Sequence, residues 1–295
     1  MPQLSVTRIF ALLAFAGLAA CSSPSASSAP SNGVIPVVTT ISTFDSLVKA
    51  VGGSHVSVRS LVPIGASPET YQPTPQDIAT LSSARLLVEN GAGLETWLGK
   101  TLANVTSKNL KIIVCSDGLK VHVGNPHLWM DPQNAKHYVF AIRDALIQID
   151  PQNAKDYSSN ARHYASRLDA LTRSIQQRID TLPAQQRYMI VFHNAWQYYN
   201  DRFGITTLGF IEANPGQEPN PAQIAHLIDA ARAHHVHAIF SEPEYSPKLA
   251  QQIAGNADIK IVDNLYDDSI GTDPRVGDYI SMLNYDTNVI VRALR

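Results

Sequence analysis

The chain is 295 residues long, 44% of them hydrophobic and 16% charged, with a formal net charge of −2. It is long enough to bury a sizeable core and to form more than one lobe. Its charge gives no basic footprint for nucleic acid, so nucleic-acid binding is excluded as the main role.

Residues 1–20 read as an export signal peptide. Arg8 supplies its positive charge, an apolar run covers residues 9–20, and Leu18-Ala19-Ala20-Cys21 closes it with small residues before a cysteine. That closing segment resembles the lipobox of bacterial lipoproteins, which implies cleavage before Cys21 and lipidation of its thiol. Residues 22–33 are almost entirely Ser, Ala, Pro, Asn and Gly, too polar and turn-prone to pack. Residues 21–33 are therefore expected to be a lipidated cysteine and a flexible tether. With Cys21 acylated, Cys115 has no disulfide partner; following Ile112-Ile113-Val114, it reads as a small buried hydrophobe.

From residue 34 to about 150, β-branched runs at 34–40, 56–62, 86–89 and 111–115 alternate with helix-like segments. This is the pattern of parallel βα units. Over 151–182 the period changes: Tyr157, Ala161, Tyr164, Leu168, Leu171, Ile175 and Ile179 recur every three or four residues, and Pro183 ends the run. One long amphipathic helix is predicted, on the order of 40 Å at ~1.5 Å per residue. A helix of that length between two βα regions is expected to bridge them. The alternation then resumes, with strands expected at 188–192, 206–210, 238–240 and 260–262, and helices at 221–233 and 246–254. The expected fold class is α/β: two lobes with central, mostly parallel sheets, residues 34–150 and 184–295, joined by a linking helix at 151–183.

In parallel α/β sheets, ligands gather beyond the carboxyl ends of strands. Four candidate metal ligands satisfy that rule. Glu69 lies in the loop after the strand at 56–62, His193 directly follows the strand at 188–192, and Asp268 follows the strand at 260–262. His127 sits beyond Cys115 in the segment Asn125-Pro126-His127-Leu128-Trp129-Met130-Asp131-Pro132. Two imidazoles and two carboxylates suit a borderline divalent ion such as Zn²⁺ or Mn²⁺. Taken singly, each residue has a plainer reading: Glu69 solvated on a rigid proline loop, His193 a hydrogen-bonded structural imidazole, Asp267 and Asp268 a turn or an N-cap.

Taken together and in order, residues 65–77, Gly91-Ala92-Gly93-Leu94-Glu95-Thr96-Trp97-Leu98, residues 125–132, 193–204 and 240–249 resemble the successive motifs of the zinc- and manganese-type substrate-binding lipoproteins of bacterial ABC transporters. The resemblance implies two α/β lobes joined by a rigid long helix, with one transition-metal ion in the cleft and two ligands from each lobe. Carried onto this chain, the ligands fall on Glu69, His127, His193 and Asp268, with Asp267 an adjacent rival for the last. The departure is at Glu69, where the family usually has His. A carboxylate there makes the site harder and moves preference toward Mn²⁺ or Fe²⁺ without abolishing Zn²⁺ binding. At His193 the sequence resembles the zinc-type version, and manganese-type members often carry Glu there.

The resemblance implies a monomeric carrier, not an enzyme. It would be lipid-anchored outside the cytoplasmic membrane, on the periplasmic or cell-surface side, and hand its ion to an ABC permease with its ATP-binding subunit. The alternatives are an exported metallohydrolase and an adhesin or scaffold with a degenerate cleft. His234-His235-Val236-His237 reads as a helix end rather than an accessory site, and Glu212, Glu242 and Glu244 as second-layer or solvated carboxylates.

Overall fold

The structure, a computed structural model, describes residues 33–212, 216, 217, 219–236, 238–245, 247–257 and 259–295. The expected export signal, the lipidated Cys21, the tether up to residue 32, and His237 lie outside the described residues.

In chain order the elements are β1 (Ile35–Thr39), α1 (Ser42–Gly52), β2 (Val56–Ser60), α2 (Pro75–Ser83), β3 (Leu86–Glu89), α3 (Leu98–Leu102), β4 (Lys111–Val114), α4 (Pro132–Ile149) and α5 (Ala154–Ile179). They continue with β5 (Tyr188–Val191), α6 (Gln197–Phe203), β6 (Thr206–Phe210), α7 (Pro221–Ala233), β7 (Ala238–Phe240), α8 (Pro247–Ala257), β8 (Lys260–Val262) and α9 (Tyr279–Ala293). Two parallel sheets result, in the orders β2-β1-β3-β4 and β6-β5-β7-β8. The two lobes thus repeat one topology, and in each the order reverses between the first and third strands. The carboxyl ends of both sheets therefore open onto switch points, where ligands bind in such folds.

Helix boundaries follow local chemistry. Thr74 caps α2 in a reciprocal box with Asp77, and Pro75 takes the first position. Asp131 caps α4 ahead of Pro132, Asn220 caps α7 ahead of Pro221, and Asp278 caps α9. Gly204 ends α6 in the left-handed conformation at φ 73°. The long helix is three residues shorter at each end than the periodicity over 151–182 predicts. Pro151–Asn153 is a separate 3-10 turn, fixed by Asp150, which accepts from Tyr157 Oη and Asn153 Nδ2.

The second sheet shows how the core is partitioned. Met189, Val191, Ala238 and Phe240 face a large core shared with α4, α5, α6 and α9, whereas Ile190, Phe192 and Ile239 face a smaller cluster under α7 and α8. Alternation along the strands assigns these residues to opposite faces. The large core also contains the first sheet and α1, and α5 packs along α1, α4 and α9. One continuous apolar interior therefore runs beneath both sets of strand ends, so the loops above it are held on a common base.

Candidate metal centre between the lobes

The loop carrying Glu69 is tied down on both sides. The Trp97 indole donates to the Pro68 carbonyl at 2.7 Å, and Tyr71 packs edge-on against Trp97 while its hydroxyl donates to Asp77. Trp97 belongs to the glycine-rich segment after β3, whose turn is closed by Glu95 accepting from the Asn90 and Gly91 amides and from Thr40 Oγ1. Gly91 has φ 78°, and a Cβ there would lie 2.3 Å from Val114 Cγ1. Only glycine fits both the dihedral and the space.

Asn125 sets the orientation of His127. Its side-chain amide donates to the Asn194 carbonyl at 2.7 Å and to Gln197 Oε1 at 3.1 Å, so its oxygen faces His127. That oxygen accepts from the His127 backbone amide and from Nδ1, both at 3.0 Å. Nδ1 therefore carries the proton, and the bare Nε2 points into the site. Because Asn194 and Gln197 belong to the second lobe, one side chain both orients a candidate ligand and links the lobes. Trp129 reinforces the link by donating from its indole to the Asp267 carbonyl at 2.8 Å. Arg202 on α6 does so by pairing with the α4 cap Asp131 at 2.6 Å.

The four residues expected from the sequence come together. His127 Nε2 lies 3.3 Å from His193 Nε2 and 3.4 Å from Asp268 Oδ1, and His193 Nε2 lies 3.9 Å from Asp268 Oδ2. Glu69, His127 and His193 each offer a donor atom within 4.8 Å of the others. Both imidazoles and Asp268 are buried, and Glu69 Oε2 and both Asp268 oxygens lack a hydrogen-bond partner. Buried oxygens without partners are costly unless a cation joins them.

The structure also gathers residues that spacing did not single out as ligands. Glu242, just after β7, has Oε1 3.7 Å from His193 Nδ1, and Asp267 has Oδ2 3.9 Å from the same nitrogen. Asp267, the rival to Asp268, thus faces the other side of the His193 ring; its Oδ1 accepts from the Asp268 amide. Glu244 accepts from Ser269 Oγ. The strand-end rule that found His193 and Asp268 points equally to Glu242. Asn125 was visible in its motif, but its role was not, because that depends on groups about 70 positions away.

The electrostatics are those of a crowded acidic cavity. Burial raises the carboxyls of Glu69, Glu242 and Asp267 above the ordinary range, with His193 pulling the other way in each case. Burial with the Asp268 charge lifts Glu244 to about 7. For His193, burial by itself lowers the imidazole, but the carboxylates of Asp267, Glu242 and Asp268 outweigh it and hold the group well above its usual value.

Residues 37–293 match the family described as ZnuA, zinc-uptake complex component A, periplasmic. The chain belongs to this family. It is 31% identical over 301 residues to the iron-binding protein YfeA of Yersinia pestis, covering 99% of this chain and 96% of that one. It is 30% identical to the manganese ABC transporter substrate-binding lipoprotein PsaA of Streptococcus pneumoniae, covering 98% of each. Among solved structures, the Mn-bound periplasmic metal-binding protein from Candidatus Liberibacter asiaticus matches with a TM-score of 0.80 at 29% identity. That match covers 88% of this chain and 100% of the other. Relatives of this chain include metal ABC transporter substrate-binding lipoproteins, and manganese, iron and zinc are represented among the names. Among the described residues, no helix is long and apolar enough to cross a membrane.

Proposed function

We propose that this protein captures one divalent transition-metal ion between its lobes through Glu69, His127, His193 and Asp268, and delivers it to an ABC permease. The observation that carries this reading is the spacing of the donor atoms. For bonds of ~2.05 Å, the edges of a tetrahedral site are about 3.4 Å. The His127 Nε2 separations from His193 Nε2 and Asp268 Oδ1 are 3.3 and 3.4 Å. Two neutral imidazoles and two carboxylates carry a charge that cancels a dication, which favours removing it from water into a buried cleft. The donors are two nitrogens and two carboxylates, with the acid in the first lobe at Glu69. That set accepts Mn²⁺, Fe²⁺ and Zn²⁺, and it is harder than a three-imidazole site.

Four protein donors closing on the ion leave no position for an activated water, so the chain binds and does not catalyse. Residues 34–150 and 184–295 act as the two lobes, with 151–183 as their link. A lipid on Cys21 holds the protein outside the cytoplasmic membrane, where it meets the permease as a monomer. Stripping the protein and titrating Zn²⁺, Mn²⁺ and Fe²⁺ anaerobically tests the reading. One tight ion per chain is expected, lost in the H127A/H193A double variant, and an E69H variant should shift preference toward Zn²⁺. Binding that survives the double variant would overturn the proposal.

A further inference from the structure

His193 has both ring nitrogens in acidic surroundings, and only one faces the site described above. Its Nδ1 points to Glu242 Oε1 at 3.7 Å and Asp267 Oδ2 at 3.9 Å, and these three groups offer donor atoms mutually within 4.8 Å. Glu242 is 2% exposed and Asp267 fully buried. His193 Nδ1, both Glu242 oxygens and Asp267 Oδ2 all lack a hydrogen-bond partner. The donors beside Glu242 are His193 Nδ1 and the Trp196 indole, and neither makes a hydrogen bond to it. Edges of 3.7 and 3.9 Å are what two donors span across an ion with bonds of roughly 2.3–2.4 Å at near-tetrahedral angles, within the range of metal–nitrogen and metal–carboxylate bonds.

The proton arrangement points the same way. Asn125 fixes the proton of His127 on Nδ1, so its Nε2 can only accept. The His193 Nε2 at 3.3 Å makes a hydrogen bond with it only by donating. When an ion displaces the proton from Nδ1, the lone pair it meets is turned toward Glu242 and Asp267. We infer that the cleft holds a second, inner divalent-cation position at His193 Nδ1, Glu242 and Asp267, used in alternation with the outer position at Glu69, His127, His193 Nε2 and Asp268. The inference rests on the outer site proposed above.

Alternation follows from the chemistry of imidazole. A neutral ring has one lone pair, so an ion on Nδ1 leaves the proton on Nε2, shared with His127. An ion on Nε2 moves that proton to Nδ1, where Glu242 accepts it. No proton is lost by His193 in the exchange, and the stoichiometry stays at one ion per chain.

The test uses Mn²⁺ with pulsed electron paramagnetic resonance, which counts coordinated imidazole nitrogens. The wild-type protein saturated with Mn²⁺ should show two. H127A, which dismantles the outer position, should still bind one Mn²⁺ with a single imidazole coupling, and H127A/E242Q should bind at least about tenfold more weakly again. His127→Leu, which refills the vacated space, gives the same readout if H127A does not fold. The inference is overturned if folded His127 variants bind no Mn²⁺, or if E242Q leaves their binding unchanged. Failure of the outer site is a different result: wild type saturated with Mn²⁺ would then show one imidazole coupling in place of two.

Discussion

Replacing Asn125 with alanine removes four hydrogen bonds at once, two toward His127 and two toward Asn194 and Gln197. Asn125 is buried, as is His127, so the His127 amide and Nδ1–H are left without partners away from water. At ~1–3 kcal/mol for each buried group left unsatisfied, the loss is about 3–5 kcal/mol. For a chain of this size that lowers Tm by roughly 10 °C. The imidazole also loses the acceptor that holds its proton on Nδ1, so Nε2 is no longer presented bare. Loss of such an orienting partner costs about 10- to 100-fold in metal affinity. Asn125→Asp separates the two effects: its carboxylate still accepts from Nδ1–H, but it cannot donate to the Asn194 carbonyl. It should recover metal affinity better than it recovers stability. Denaturant unfolding of the stripped proteins, with Mn²⁺ titration of each, reads both quantities. An N125A protein that binds Mn²⁺ as tightly as wild type would refute the role assigned to the Asn125–His127 pair.

The stripped protein should lose stability as pH rises, and the loaded protein should not. Burial and the Asp268 charge raise Glu244 from 4.5 to about 7 in the folded state, so its contribution is present below 4.5 and fades as pH rises through about 7. Asp267, Glu242 and His193 are raised as well and act with the same sign. An ion neutralises the same acids, so the stabilisation it confers should grow between about pH 5 and about pH 8, as urea titrations at each pH would measure. Equal metal stabilisation at both ends would contradict this. Gly91→Ala combines a φ of 78° with a Cβ 2.3 Å from Val114 Cγ1 and 2.7 Å from Ser116 Oγ. It should destabilise the chain by about 3 kcal/mol. A change near zero in denaturant unfolding would show that the turn after β3 adjusts freely.

Much of the fold was legible because its strands are short β-branched runs bounded by turn residues. The runs at 86–89, 206–210, 238–240 and 260–262 coincide with β3, β6, β7 and β8, and the helix at 221–233 coincides with α7. Proline and a capping side chain mark where α7 begins. The terminal helix α9 was not anticipated. It buries Met282, Leu283, Asp286, Thr287, Ile290 and Val291 on one face, and the two polar members blur the apolar stripe; Thr287 meets Tyr199 Oη, and Asp286 accepts from the Tyr266 amide. The strand-end rule brought Glu69, His127, His193 and Asp268 to one region, because parallel topology decides which loops converge. It could not separate Asp267 from Asp268. Their side chains diverge within a single turn, Asp268 toward His127 and Asp267 toward the far side of His193. That difference depends on the Trp129 and Thr43 contacts to the Asp267 carbonyl from the other lobe.

The central claim is that one divalent ion sits between the lobes on His127 Nε2 and His193 Nε2, completed by Glu69 and Asp268. Anomalous diffraction from crystals of the Mn²⁺-loaded protein tests it most directly. The account predicts one principal peak within bonding distance, roughly 2.0–2.3 Å, of both Nε2 atoms and of oxygens from Glu69 and Asp268. A saturated crystal with no peak there, or with its ion bound by residues outside these four segments, would contradict it.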